Sequence, residues 1–265
     1  MNADICNQKM QANARTTILG ILVLANRALT AAQLIRLAEP VGLSASNLKS
    51  QLTRMVNEGS LMRSGPVRRS IYSPSQAQSR VVAGIKARLM EDPKSPWDNT
   101  WYMLTIQLPT NRAQRDRLRA SLWFDGFRPV SFDCFVRPAW PQPWARDRID
   151  AYVADGAFSI RGEIVSGQYG MENLYDLRGL DSEALELAAW LNRQERPSIT
   201  PPTAFLAQME AGGRMAQLVG HDPRLPPSMW GKRRGMANLI REFRRFEEVV
   251  SSPAQRFMSA ALADL

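Results

Sequence analysis

The chain has 265 residues, 45% of them hydrophobic, which fills about two or three modest cores rather than one large one. Its net charge of +9 sits almost wholly in residues 1–96, with thirteen Lys or Arg against five Asp or Glu, unlike the spread charge of a generally adhesive basic protein. No apolar run approaches the about 18 residues of a membrane span, Cys6 and Cys134 form no paired pattern, and no leader-like order precedes the first helix, so a cytoplasmic protein with reduced thiols is expected.

Taken in chain order, Ile18 to Leu24 belongs to an amphipathic first helix. Thr30 then suits an N-cap for a two-turn helix whose apolar positions are Leu34, Leu37 and Ala38. Pro40 stops that helix, Gly42 allows a sharp reversal, and Ser44 caps a second helix from about Ala45 to Asn57. Leu48, Leu52, Met55 and Val56 form its apolar side. Ser46, Asn47, Lys49, Ser50, Thr53 and Arg54 are left facing outward, and all can reach base edges or phosphates. Glu58-Gly59 ends the helix; Leu61 to Arg63, a Ser64-Gly65-Pro66 turn and Val67 to Tyr72 follow as strand, turn and strand. In a winged helix-turn-helix this ribbon would lay Arg63, Arg68 and Arg69 on the phosphodiester backbone of double-stranded operator DNA. A plain helical hairpin beside a solvated ribbon is the blander reading, and cap, turn and basic wing in this order weigh against it.

Ala77 to Met90 reads as a basic linking helix, broken by the prolines of Glu91 to Pro96. Beyond it come a strand from Trp101 to Leu108, a helix from Asn111 to Phe124, a turn at Gly126, a strand from Phe127 to Arg137, a helix from Trp144 to Ala154 and a strand from Gly156 to Val165. That alternation suggests a small ferredoxin-like layer. Helical patterns return at Ser182 to Gln194, Pro201 to Val219 and Ser228 to Val250. The expected fold class is α+β: a winged helix-turn-helix in residues 1–92, a ferredoxin-like middle domain in 93–170 and a helical C-terminal domain in 171–265.

Catalytic patterns are not evident. His221 is the only histidine, Ser166-Gly167 and Ser251-Ser252 lack a nucleophile elbow, and Gly212-Gly213 is not followed by the Lys-Ser of a phosphate loop. Neither catalytic residues, a metal site nor a bound cofactor is expected. Trp97, Trp101, Trp123, Trp140 and Trp144 read first as packing residues, with the alternative that one or two of them near the junction of the middle and C-terminal domains line an effector site.

Three stretches carry a resemblance: Leu48 to Leu61, the W-D-x-x-W segment from Trp97 to Pro109, and Asp222 to Pro226 with Trp230-Gly231. With them the chain resembles the PaaX-type repressors of phenylacetic acid degradation, which join a winged helix, a ferredoxin-like middle domain and a helical C-terminal domain. The resemblance implies release from DNA by an acyl-CoA effector such as phenylacetyl-CoA. It also gives Lys232, Arg233 and Arg234 a role as anion contacts for the coenzyme phosphates, where the plainer reading is a surface cluster. Ser60 and His221 depart from the residues common there, which bears on ligand and pathway more than on DNA binding. The middle domain of that family is similar in fold to small CRISPR-associated endonucleases. Where those nucleases place a metal-binding carboxylate this chain has Gln107, with Asp98 ahead of the strand and Asp116 on the next helix. The expectation is therefore a ligand-responsive repressor acting as a homodimer on an inverted repeat. A metal-dependent nuclease and an effector-independent DNA-binding protein are the alternatives.

Overall fold

The structure is a computed structural model and describes residues 14–66, 69–90, 96–140, 143–164, 174–194 and 199–263. Two compact units emerge: Met1–Lys86 with Ala189–Ala216 and Arg241–Leu265, and Ala87–Ala188 with Gln217–Ile240.

The first unit begins with α1 (Ala14–Ala25), β1 (Leu29–Thr30) and α2 (Ala31–Ala38). Thr30 closes a reciprocal capping box with Gln33, each side chain bonding the other's backbone N–H, which satisfies two otherwise orphaned donors. A 3-10 turn over Glu39–Val41 carries Pro40 and ends at Gly42, whose φ of 82° is the left-handed conformation that favours glycine. The second helix is α3 (Ala45–Asn57), with the bounds its pattern predicts, followed by the antiparallel strands β2 (Leu61–Ser64) and β3 (Ile71–Pro74). Ile18, Ile21 and Leu22 of α1, Leu34 and Leu37 of α2, and Leu48, Leu52 and Met55 of α3 are buried, each large aliphatic side chain contributing about 2 kcal/mol by its burial. Further along, Phe205 meets Phe257 at 5.0 Å and Trp190 meets Phe246 at 6.5 Å between ring centroids.

The second unit contains α4 (Gln76–Met90) only by its last residues; its sheet is built from β4 (Thr100–Thr105), β5 (Arg128–Pro129), β6 (Cys134–Pro138) and β7 (Phe158–Glu163). Strand order is β5-β6-β4-β7 with every neighbour antiparallel, and α5 (Arg112–Phe124) and α6 (Pro143–Ala154) interrupt the strands in sequence. Strand, helix, two strands, helix, strand in this spatial order is the ferredoxin-like arrangement. Leu104, Ile106, Leu122, Phe127, Phe135, Ile149 and Tyr152 form one core, and Trp101, Val136, Tyr175, Leu177 and Leu225 form another. The C-terminal helices α7 (Leu177–Gln194), α8 (Pro201–His221) and α10 (Gly235–Ala263) each contribute residues to both units, whereas the short α9 (Pro227–Trp230) belongs to the second.

Several local expectations shift for identifiable reasons. The second ribbon strand starts at Ile71 rather than Val67, because Arg69 donates its N–H to Pro66 O at 2.8 Å and closes a turn instead of a ladder. The single strand expected from Phe127 to Arg137 is a hairpin: Pro129 offers no N–H, and Val130 N bonds Cys134 O at 2.9 Å across the bend. In place of one helix from Ser228, α9 stops at Gly231 (φ 60°) and α10 starts afresh at Gly235.

Candidate nucleic-acid interface and candidate effector cleft

The exposed face of α3 is made by the same residues that fix the helix. Ser44 accepts a hydrogen bond from Asn47 N at 3.3 Å, and burial of Leu48, Leu52 and Met55 orients the opposite side outward. Ser46, Asn47, Lys49, Ser50, Thr53 and Arg54 are all exposed there. They are not equally engaged. Thr53 donates its hydroxyl back to Lys49 O at 3.2 Å, and Ser46 shares a 3.3 Å bond with Ser44, whereas the side chains of Asn47, Lys49 and Ser50 make no hydrogen bond among the described residues. Arg54 is drawn to Glu58, its Nε donating to Oε1 at 2.9 Å, and Arg15 donates to the other oxygen of that carboxylate. Those two guanidinium groups, Arg15 first, hold the Glu58 carboxyl below its usual range.

In the ribbon, Arg63 donates from Nε to Ser70 Oγ at 2.8 Å, so its guanidinium is steered by the residue just ahead of β3. Gly65 makes the turn at φ 83°, and a Cβ there would stand 3.2 Å from Arg69 O. Arg69 is exposed, and Arg68 lies outside the described residues. The β1 strand, which pairs Leu29 with Tyr72 and Thr30 with Ile71, ties the ribbon back to the start of α2; two residues carry too little pattern to be read from sequence.

Within the second unit a cleft of about 810 Å³ is lined by Trp97 and Asn99, by Tyr175 to Arg178, and by Ser228, Met229, Gly231 and Arg233. Its first wall is the W-D-x-x-W segment. Trp97 donates Nε1–H to Thr100 O at 2.9 Å and packs edge-on against Trp101, with ring centroids 5.5 Å apart. Asp98 accepts from Thr100 N at 3.1 Å and from Thr100 Oγ1 at 2.6 Å, and these bonds, the hydroxyl first, keep its carboxyl below the usual range. The second wall opens α7, where Asp176 caps Gly179 N at 2.9 Å. The third follows the Asp222 to Pro226 segment, all of it buried: Asp222 accepts from Arg224 N at 2.8 Å while Arg224 sits at φ 54°, a turn that sends the chain into α9.

Behind these walls stand buried arginines. Arg128 lies 3.6 Å from the Trp123 ring centroid and 5.0 Å from that of Tyr175, and it donates from Nη1 to the Phe127 and Trp123 carbonyls. Burial brings its pKa down to about 10, and its Nε has no hydrogen-bond partner among the described residues. Fully buried Arg137 donates to Asp125 O at 2.7 Å and to Pro138 O at 3.3 Å. Tyr175 donates its hydroxyl to Gly126 O at 3.2 Å, and burial pushes that hydroxyl's pKa up. Gly126 admits no side chain, since a Cβ would meet Pro223 O at 2.6 Å.

Of the three C-terminal cations singled out in the sequence, Arg233 lines the cleft. Lys232 is exposed outside the lining, and Arg234 spends its Nη1 on the carbonyls of Gly231 and Arg233, both at 3.0 Å. Asn99, Tyr175 and Arg178 were not legible as lining residues, because segments far apart in the chain supply the walls of the cleft. Gln107 is exposed just past β4, Asp98 is paired with Arg161 and Asp116 with Arg112. Among the described residues no three of His, Cys, Asp and Glu gather as a metal-holding group, and no helix is long and apolar enough to cross a membrane.

Two family models match this architecture: residues 13–78 match the model of the PaaX-like protein, and residues 94–170 that of the PaaX protein central Cas2-like domain. Together they cover the helix-turn-ribbon segment and the four-stranded layer, the parts that define a transcription regulator of this kind. The chain belongs to the PaaX-type family, whose members regulate phenylacetic acid catabolism. In structure it is similar to the uncharacterized protein Rv0674 from Mycobacterium tuberculosis, with a TM-score of 0.54 and 22% identity over 94% of this chain and 98% of that one, a likeness of fold. No curated protein matches it.

Proposed function

We propose that the chain is a ligand-responsive transcriptional repressor that binds operator DNA through a winged helix-turn-helix and is released by an aryl- or acyl-CoA thioester such as phenylacetyl-CoA. In this reading α3 enters the major groove, and Asn47, Lys49 and Ser50, whose side chains make no hydrogen bond among the described residues, meet the bases or the flanking phosphates. Arg63, Arg69 and the ribbon lie along the backbone. A homodimer presents two such units to an inverted repeat, matching the two-fold symmetry of the protein to that of the site. The observation that carries the reading is the α3 face itself: a capped helix anchored by three buried side chains, with its whole opposite side polar and exposed, in the segment that holds nearly all the net positive charge.

The cleft in the second unit suits the effector. Trp97 offers an aromatic wall for an aryl group, and Arg178 and Arg233 offer guanidinium groups for an anion. An effector acts only through its difference in affinity between the DNA-competent state and another, so the cleft must change between them. Footprinting of the DNA upstream of the gene tests the reading. Protection of two half-sites about one helical turn apart is expected; uniform weak protection along the duplex would reject a sequence-specific regulator.

A further inference from the structure

Helix α5 departs from the charge of its surroundings. Residues 97–265 carry twenty-one Lys or Arg against twenty Asp or Glu, yet α5 holds Arg112, Arg115, Arg117 and Arg119 against Asp116 alone. Burial of Leu122 and packing of Leu118 against the same core fix which side of the helix faces inward. That leaves Arg112, Arg119 and Trp123, spaced seven and four, on one exposed stripe that spans about 16 Å. The turn after β5 brings Phe132 beside Arg119. Each of the two rings is backed by a guanidinium and open on its other side. Trp123 rests on buried Arg128 at 3.6 Å and is 46% exposed, and Phe132 has Arg119 at 5.4 Å and is 68% exposed. The Arg119 guanidinium makes no hydrogen bond or ion pair among the described residues. Neighbouring acids are engaged, Asp116 with Arg112 at 3.7 Å and Asp133 with the Ser131 hydroxyl at 3.3 Å.

We propose that this stripe holds single-stranded DNA: unpaired bases stack on the open faces of Trp123 and Phe132, and the phosphates lie along Arg112 and Arg119. The ligand that fits must be flat and anionic by turns. An acidic peptide would use the arginines and leave both rings in water, and a duplex hides its base faces by stacking them on one another. A single strand uses both parts, since every base has a face to stack and guanidinium groups follow the backbone. Neither contact reads base identity, so the surface binds without sequence preference. Ala113 and Ala120, exposed on the same helix, present no polar side chain to a 2′-hydroxyl, the group by which a protein tells RNA from DNA. The stripe shares no residue with the α3 face or with the cleft, and the proposal depends on neither the operator nor the effector.

Fluorescence anisotropy of labelled oligo(dT) titrated with the full chain tests this, with a random duplex of the same length alongside. Trp123→Ala lowers the affinity for oligo(dT) by roughly fivefold or more and Phe132→Ala by a smaller factor, Trp123→Phe restores most of it, and duplex binding stays within about twofold. Arg119→Ala flattens the log–log salt dependence on oligo(dT) by about 0.7 of a unit, whereas Trp123→Ala leaves the slope as it was, because stacking releases no counterions. Phe132, the more exposed ring, supplies an independent reading where loss of Trp123 unseats Arg128 and unfolds the layer. Affinity for oligo(dT) that neither ring variant lowers, or that falls equally on the duplex, overturns the stacking surface. Tighter binding of oligo(rU) than of oligo(dT) overturns the choice of DNA.

Discussion

The α3 face and the second-unit cleft are built in opposite ways. Thirteen consecutive residues supply the first, its caps and buried anchors lie in the same stretch, and its polar side chains extend into solvent. Three segments, near residues 97, 176 and 230, supply the second, and it stands on arginines buried against aromatic rings and backbone carbonyls. A surface for a long polyanion needs exposed charge and little else, whereas a recess for a small ligand needs walls that keep their shape.

That contrast is most exposed to failure at Arg137. Arg137→Ala removes a fully buried side chain and leaves the carbonyls of Asp125 and Pro138 without this donor, so a loss of about 3 kcal/mol or more in urea unfolding is expected. A loss below about 1 kcal/mol would show that the cleft does not depend on this support. On the other side, Asn47→Ala and Lys49→Ala lower affinity for the specific operator by about 1 to 3 kcal/mol each while leaving unfolding unchanged. Equal losses on a random duplex would reduce both residues to phosphate contacts. Thr30→Ala removes one half of the capping box and costs about 1 kcal/mol of stability in thermal unfolding. Arg69→Ala weakens binding to every duplex and flattens the log–log salt dependence by about one unit, and an unaltered slope would take the ribbon off the DNA.

The smallest expected effect concerns the restrained end of α3. Because Arg15 and Arg54 lower the pKa of Glu58 in the folded chain, its contribution to stability is present above the ordinary carboxylate value of 4.5 and is lost as pH falls through the lowered one. Glu58→Gln removes that part of the acid limb, which comparison of unfolding curves at neutral and acid pH detects.

The helix-turn-ribbon was legible because each of its signals is local. Thr30, Pro40, Gly42 and Ser44 act on the residues beside them, and the spacing of Leu48, Leu52 and Met55 states which side is buried. Sequence pattern also suggested the alternation of the middle layer, but not the hairpin at Pro129 or the early end of β4, where single hydrogen bonds decide. For the cleft, the sequence offered Arg233 and the flanking motifs without their meeting place. Nothing at Tyr175 or Arg178 announces a lining residue until α7 and α9 are folded against β4 and its preceding turn. Arg54 was read as an outward contact and is exposed, yet its bond to Glu58 depends on the last turn of α3.

Fluorescence anisotropy of the full chain on its own upstream DNA at physiological salt, with and without phenylacetyl-CoA, tests the central claim most directly. The account predicts tight binding that a random duplex does not compete away, released by the thioester in the unmodified chain and not in an Arg178→Ala, Arg233→Ala double variant. Binding no stronger than to random DNA, or selective binding that no acyl-CoA thioester releases, would contradict it.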